Sequence, residues 1–264
     1  MLTRIVGYIV VGYLVLCAGT FFMQRKMLYL PETSFLSPER AASHGLRHWP
    51  SVEQFHGFVS DPEPAEVEGT IIVFHGNAGA AFHRGMYIQA LSRHNLRVIL
   101  AEYPGYGGRD GKPSEEVLVQ DAVATIRLAH QQFGDPLYLW GESLGSAVVA
   151  GALRHTETPV PGVVLFLPWD TLADLAQTHY WYLPARWLVL DRYDSIANLR
   201  EYQGRIAVVL AGADEVVPVL HGQRLYASLT TEKKLWLFEG ATHNNMPVAP
   251  ELPWWGEVVS FLSR

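Results

Sequence analysis

The sequence is poor in cysteine and in charge. Its 264 residues include one cysteine, and only 17% of them are Asp, Glu, Lys or Arg. A single cysteine excludes an internal disulfide and a cysteine-rich metal site, but it leaves the cellular compartment open. The net charge is −6, and no cluster of lysine and arginine runs beside aromatic residues. Nucleic-acid binding is therefore not expected.

Phosphate-binding motifs and repeats are missing as well. Neither G-x-G-x-x-G nor a Walker lysine occurs, so the glycine-containing segment at residues 75–79 is not read as a phosphate cradle. No internal repeat or low-complexity tract interrupts the chain. Its length suits one large domain with a full core. The hydrophobic share of 49% is high for a purely soluble protein, which directs attention to a membrane segment.

The amino-terminal segment Ile5–Met23 has 19 residues without a charge. As a helix it would span about 28 Å, close to the thickness of a bilayer's hydrocarbon core. A cleaved signal peptide is the alternative, but the apolar run continues past the small residues at 17–19 where cleavage would occur. We predict an uncleaved single-pass membrane anchor at residues 1–26. Arg4 and the amino terminus on one side roughly balance Arg25 and Lys26 on the other, so the sequence does not indicate which side of the membrane carries the domain.

Residues 27–264 alternate short apolar strands with amphipathic helices, after a connector with edge strands at residues 27–60. This alternation predicts an α/β fold with a mostly parallel central sheet and helices on both faces. The exception is the aromatic-rich segment 168–198, which we expect to form a small helical cap. Predicted strands are Thr70–Phe74, Arg97–Glu102, Leu137–Trp140, Gly162–Leu167, Ile206–Ala211 and Lys234–Phe238; predicted helices are Phe82–Ser92, Ser114–Phe133, Leu144–His155, Leu220–Ser228 and Trp254–Leu262.

The motif Gly141-x-Ser143-x-Gly145 lies between the predicted strand Leu137–Trp140 and a helix. In that context it indicates a nucleophile elbow, in which a tight turn holds the serine hydroxyl above the sheet edge. Glycine on both sides removes side chains that would collide with neighbouring backbone. A small-residue turn that merely packs the helix on the strand is the alternative.

A serine needs a base to take its proton and a carboxylate to orient that base. In such folds these residues follow late strands in the order serine, acid, histidine. Asp214 follows one late strand and His243 follows the last, so we expect Ser143 as nucleophile, His243 as base and Asp214 as acid. Asp214 could instead cap the next helix, and Asp170 is a second candidate acid. We expect His221 on the helix after Asp214.

An oxyanion hole requires two backbone N–H donors. Leu144, directly after the serine, is expected to supply one. Asn77, in the loop after the first predicted strand, is expected to supply the other, with Ala78 as the second candidate. His75 is expected to support this loop. Ala78, Tyr103 and Trp169 are the candidates for substrate contact, since they lie on this loop, on a second loop at a strand end and in the cap.

Together these segments resemble the α/β-hydrolase superfamily and, more narrowly, its membrane-anchored α/β-hydrolase-domain serine hydrolases with one amino-terminal transmembrane segment. The resemblance covers nearly the whole chain and rests on His75–Gly79, Tyr103–Gly107, Gly141–Gly145, Gly212–Pro218 and His243–Asn244. It implies hydrolysis of carboxylic esters or thioesters through an acyl-serine, with no metal and no cofactor. The anchor and the aromatic cap favour a hydrophobic, lipid-derived acyl substrate. An amidase or peptidase on the same residues is one alternative, and a non-catalytic interaction protein displayed at a membrane is another.

Overall fold

The computed structural model describes residues 1–264. The helices are α1 (Leu2–Leu28), α2 (Pro38–Ser43), α3 (Gly85–Leu91), α4 (Glu115–Phe133), α5 (Leu144–His155), α6 (Leu172–His179), α7 (Ala185–Leu188), α8 (Ser195–Leu199), α9 (Val219–Ser228) and α10 (Pro253–Leu262). The strands are β1 (Leu30–Pro31), β2 (Leu46–Pro50), β3 (Phe55–Ser60), β4 (Gly69–Phe74), β5 (Ala78–Gly79), β6 (Leu96–Ala101), β7 (Leu137–Glu142), β8 (Gly162–Phe166), β9 (Arg205–Ala211) and β10 (Lys233–Phe238).

Eight strands form one sheet in the order β10-β9-β8-β7-β4-β6-β3-β2. Neighbours from β10 to β6 are parallel, and β3 is antiparallel to both β6 and β2. The predicted architecture is therefore confirmed, including edge strands within residues 27–60. Strands β1 and β5 form a separate parallel pair that joins the end of α1 to the loop after β4.

The central strands read as continuous apolar runs because both faces of the sheet are covered. In β4, Ile72 and Phe74 pack into one core with residues of α4 and α5. Ile71 and Val73 point the other way, into a second core with residues of α3 and α10. Successive side chains of a strand alternate between faces, so one short segment contributes to both cores.

The turn between β7 and α5 is strained at its centre. Ser143 has φ 51° and ψ −112°, a backbone conformation that residues other than glycine rarely adopt. Its N–H donates to the carbonyl of Phe166 at 2.8 Å, which ties the turn to the end of β8. A Cβ atom at Gly145 would overlap the carbonyl oxygen of Phe74, and one at Gly141 would overlap the backbone of Ser146. The two glycines are therefore required by close backbone approach.

We expect Gly145→Ala to lower the free energy of unfolding by about 3 kcal/mol, because α5 must move away from β4 to admit the methyl group. Denaturant unfolding followed by tryptophan fluorescence would measure it. Gly85→Ala is the matched control, since Gly85 also lies in the first turn of a helix and a Cβ there meets nothing within 4 Å. Equal midpoints for the two variants would contradict the packing argument.

Helix α1 is long and apolar enough to cross a membrane, with a mean hydropathy of 2.2 over its best window. None of its residues is buried in the protein. Length and composition suit a membrane span and an amino-terminal signal sequence alike. The helix extends to Leu28, two residues beyond the predicted end of the anchor.

Candidate functional site

The sheet brings Ser143, Asp214 and His243 to one edge. They follow β7, β9 and β10, which are parallel and lie within four neighbouring strands of the sheet. The carboxyl ends of parallel strands meet at the same edge, where open α/β sheets bind their ligands. Three loops from distant parts of the chain thus converge as the sequence predicts.

Asp214 and His243 are joined by a short hydrogen bond. The distance from His243 Nδ1 to Asp214 Oδ2 is 2.7 Å, and the two side chains are 12% and 2% exposed. The other carboxylate oxygen of Asp214 accepts the backbone N–H groups of Val216 at 2.9 Å and Val217 at 2.7 Å. These bonds fix the carboxylate and leave His243 Nε2 for another partner. No hydrogen bond joins His243 to the Ser143 hydroxyl, and such contacts often close only when substrate binds.

Asp170, the second candidate acid, lies in a different pair. Its Oδ1 is 2.7 Å from Nδ1 of His221, and both side chains are almost fully buried. The same oxygen accepts the N–H of Thr171 at 2.8 Å. His221 lies on α9, as predicted, and its Nε2 is 3.1 Å from the hydroxyl of Thr178 on α6. This pair links α9 to the cap, and His243 is not part of it.

Asn77 lies in the loop after β4, beside the amino terminus of α5. Its carbonyl accepts the N–H of Leu30 at 3.0 Å and the hydroxyl of Tyr106 at 2.9 Å. Its side-chain amide donates to the carbonyl of Leu28 at 2.9 Å, while its backbone N–H makes no hydrogen bond. Leu144 begins α5, so its N–H has no partner within the helix. Both groups are available as donors.

Two buried residues, His75 and Tyr103, support this loop from the interior of the protein. His75 is buried, with Nε2 3.0 Å from Glu102 and Nδ1 2.7 Å from the carbonyl of Gly76. Tyr103 donates its hydroxyl to the His75 carbonyl at 2.8 Å. Burial raises the pKa of the Tyr103 phenol, which keeps it a neutral donor.

An ion pair that the sequence reasoning missed connects the loop to the elbow. Arg84 Nε donates to both oxygens of Glu142, at 2.9 and 3.1 Å, and its Nη2 donates to the carbonyl of Ala78 at 3.3 Å. Tyr87 donates to the same carboxylate at 3.0 Å. Burial works to lower the pKa of Arg84, but the charge of Glu142 raises it. Glu142 lies inside the Gly-x-Ser-x-Gly motif. A carboxylate at that position needs a cationic or hydrogen-bonding partner, and this need was the signal in the sequence for such a pair.

A cavity of about 300 Å³ opens beside Ser143 and is bounded by 20 residues, 14 of them hydrophobic. Asn77, from the predicted oxyanion loop, and Trp169, from the segment predicted as a cap, both line it. The indole N–H of Trp169 is buried there without a hydrogen-bond partner.

Two of the predicted substrate contacts, Ala78 and Tyr103, do not line this cavity. Ala78 is absent from the lining because it pairs with Leu30 in the short β1–β5 ladder. Tyr103 is absent because its ring is buried under the loop. The structure holds no group of three or more His, Cys, Asp or Glu side chains placed to bind a metal ion.

Helix α1 supplies one wall of the cavity, which the sequence did not predict. The wall consists of about the last two and a half turns of α1, through Thr20, Phe21, Gln24, Met27 and Leu28. The opposite wall belongs to the segment 168–198 that we predict as a cap, mainly to residues of α6 and α7.

An ion pair between a half-exposed arginine and a buried aspartate holds α1 against the cap. Arg25 contacts both oxygens of Asp191, at 2.9 and 3.0 Å. Tyr29 donates to the same carboxylate at 3.1 Å and lies 3.0 Å from the hydroxyl of Tyr193. The amino-terminal helix is therefore joined to the domain by specific side-chain contacts.

Comparison with known proteins agrees with this architecture. The family model described as "Serine aminopeptidase, S33" (Hydrolase_4) matches residues 65–187. Uncharacterized protein Rv2307c of Mycobacterium tuberculosis is 37% identical over 185 residues, which cover 69% of this chain and 64% of that protein. Lysophosphatidylserine lipase ABHD12 of Danio rerio is 28% identical over 226 residues, covering 76% of this chain and 59% of the lipase. The chain thus spans about three fifths of the length of these relatives.

Among solved structures, the esterase Pf2001 of Pyrococcus furiosus superposes with a TM-score of 0.65 at 16% identity. The match covers 89% of this chain and 96% of the esterase. Such a likeness shows the fold. The chain belongs to the α/β-hydrolase superfamily and is related to its esterases and lipases.

Proposed function

We propose that the protein is a serine hydrolase that cleaves carboxylic esters or thioesters, with Ser143 as nucleophile, His243 as general base and Asp214 as the acid that orients it. The observation that carries the proposal is the 2.7 Å bond between Asp214 and His243 at the sheet edge where Ser143 occupies a strained turn. Strain of this kind persists where the surrounding structure holds it, and it clusters at active sites.

In the first half of the reaction, Ser143 Oγ attacks the carbonyl carbon of the substrate while His243 Nε2 takes the hydroxyl proton. Asp214 holds the imidazole with its proton on Nδ1 and stabilises the imidazolium that forms. The carbonyl oxygen becomes an oxyanion, and we assign the N–H groups of Asn77 and Leu144 as the donors that receive it. The intermediate then collapses: the alcohol or thiol leaves with the proton from His243, and the acyl group stays on Ser143.

In the second half, water attacks the acyl-serine. His243 takes a proton from the water, and the new oxyanion meets the same two donors. Collapse returns the proton to Ser143 Oγ and releases the carboxylic acid. The Arg84–Glu142 pair supports both halves by holding the donor loop against the elbow.

The cavity favours an apolar acyl group over an amino-terminal peptide. An aminopeptidase, the activity named by the family model, requires a group that binds the substrate ammonium. The one carboxylate in the cavity lining, Asp191, is already paired with Arg25. Parallel assays with an acyl ester and an aminoacyl nitroanilide separate the two activities.

We propose further that α1 is retained as a membrane anchor (residues 1–26) rather than removed as a signal sequence. Cleavage after the small residues at 17–19 would separate the carboxyl-terminal end of α1, where Arg25 pairs with Asp191, from the apolar part of the helix. It would also remove the helical turns that precede the cavity wall. A reporter fused to the carboxyl terminus would then give the side of the membrane that carries the domain.

Labelling with a small fluorophosphonate tests the proposed nucleophile. We expect the full-length protein in detergent to be labelled, to lose the label after Ser143→Ala, and to carry the probe on the peptide that contains Ser143. Ser146→Ala is the matched control, because Ser146 is three residues away and its hydroxyl donates to the carbonyl of Gly141 at 2.7 Å. A folded wild-type protein without label would contradict the proposal.

A further inference from the structure

The cap ends in exposed apolar side chains, whose contact with water is unfavourable. We call residues 180–190 the cap tip. Trp181 is 78% exposed and Trp187 is 79% exposed. The one charge in the segment belongs to Arg186, which pairs with Asp174 at 2.6 Å. Large apolar side chains exposed so close together in the chain are typical of an interaction site.

The cap tip lies alongside the apolar helix. Tyr13 donates its hydroxyl to the carbonyl of Tyr182 at 3.0 Å. Eleven residues later, Gln24 donates to the carbonyl of Leu188 at 3.2 Å and accepts the N–H of Leu190 at 2.7 Å. At 1.5 Å per residue, these contacts follow α1 for about 16 Å. That is about half of the hydrocarbon thickness, so a membrane that holds α1 also holds the cap tip within one leaflet.

The cavity leads from this region to the nucleophile. Thr20 and Phe21 line it within the apolar part of α1, Leu188 lines it from the cap tip, and Ser143 lines it at the sheet edge. One continuous, mostly hydrophobic cavity therefore runs from the depth of a leaflet to the proposed reacting atom.

We propose that α1 and the cap tip form a membrane-inserted acyl site, through which a lipid ester keeps its acyl chain in the leaflet while its carbonyl reaches Ser143. The inference rests on the proposed function, since it takes Ser143 as the nucleophile. The occupant is one acyl chain, because a cavity of about 300 Å³ is at the small end of ligand pockets. Helix α1 is thus part of the binding site as well as the anchor.

Filling the α1 wall tests the site. The full chain in phosphatidylcholine vesicles is assayed with p-nitrophenyl laurate and p-nitrophenyl acetate. We expect Thr20→Trp to lower the laurate-to-acetate ratio of kcat/KM about tenfold, because the indole takes space that several methylenes need. A ratio is insensitive to partial misfolding, since unfolded protein hydrolyses neither ester. Ala176→Phe, on the cap wall, is expected to lower the same ratio.

Met23→Trp is the matched control on the same helix, because Met23 is 55% exposed and does not line the cavity. We expect its ratio to equal that of the wild type. An unchanged ratio in both Thr20→Trp and Ala176→Phe would overturn the acyl site. Failure of the wild type to hydrolyse acetate or to react with the fluorophosphonate would instead overturn the proposed function.

A charge at the cap tip tests membrane insertion. We expect Trp187→Asp to reduce hydrolysis of palmitoyl glycerol in vesicles about tenfold, because a carboxylate is costly inside the leaflet. Val52→Asp is the control, an exposed valine outside the cap. Equal rates for the two variants would contradict insertion. Cleavage of a vesicle-bound S-palmitoyl peptide without cleavage of palmitoyl glycerol would overturn the assignment to a lipid ester.

Discussion

Replacement of His243 by alanine is expected to lower kcat/KM for a short ester by about 10⁵-fold, and Ser143→Ala by about the same factor. Without the imidazole, the Ser143 hydroxyl has no base to take its proton, and the leaving group has no acid to supply one. The measurement is hydrolysis of p-nitrophenyl acetate by the purified full-length variants, at protein concentrations that reveal a residual rate above the uncatalysed reaction.

The double variant sharpens this test, because residues that act as a unit have effects that do not add. We expect Ser143→Ala with His243→Ala to be no slower than either variant alone. His221→Ala is the matched control, since His221 is also bonded to an aspartate at 2.7 Å but belongs to the α9–cap pair. If folded His221→Ala lost more activity than His243→Ala, the assignment of His243 as the base would be wrong.

The sheet was predictable because its central strands are covered on both faces. Continuous apolar runs between helical segments gave the strands Thr70–Phe74 and Ile206–Ala211, which the structure extends by one residue each. Chain order then placed Ser143, Asp214 and His243 after strands whose ends meet at one edge. Local patterns carried both inferences, so no knowledge of long-range packing was needed.

The contacts of Arg84 and Tyr87 with Glu142 at the elbow were not predictable in the same way. Arg84 and Tyr87 lie more than fifty residues before Glu142, and nothing in the local pattern of either segment selects the partner. Tyr103 shows the opposite case. Its position on a loop at a strand end suggested contact with substrate. Its hydroxyl instead donates to the carbonyl of His75, and its ring is buried.

The position of α1 is the largest part of the site that the sequence did not predict. Hydropathy measures whether a helix suits a bilayer, and it contains no information on which of its faces meets the domain. The polar residues Gln24 and Arg25 held that information, because their partners Leu188 and Asp191 are in the cap. Those contacts appear only when the cap and the helix are placed together.

Asp214→Asn is expected to lower kcat/KM by about 10⁴-fold, because an amide at this position favours the imidazole tautomer that carries its proton on Nε2. That tautomer is unable to accept the proton of Ser143. The carboxylate also stabilises the imidazolium formed during attack, and the neutral amide does not. Rates of ester hydrolysis and of fluorophosphonate labelling would both measure the loss, and thermal unfolding would verify that the variant is folded.

Asp170→Asn is the matched comparison, since both aspartates follow strands of the same sheet and bind a histidine Nδ1 at 2.7 Å. Its expected cost is in stability, because it weakens the buried pair with His221 that ties α9 to Thr178 on the cap. The amide leaves the Asp214–His243 bond intact, so turnover per folded molecule should fall far less than in Asp214→Asn. A greater loss of turnover from Asp170→Asn than from Asp214→Asn would exchange the roles of the two acids.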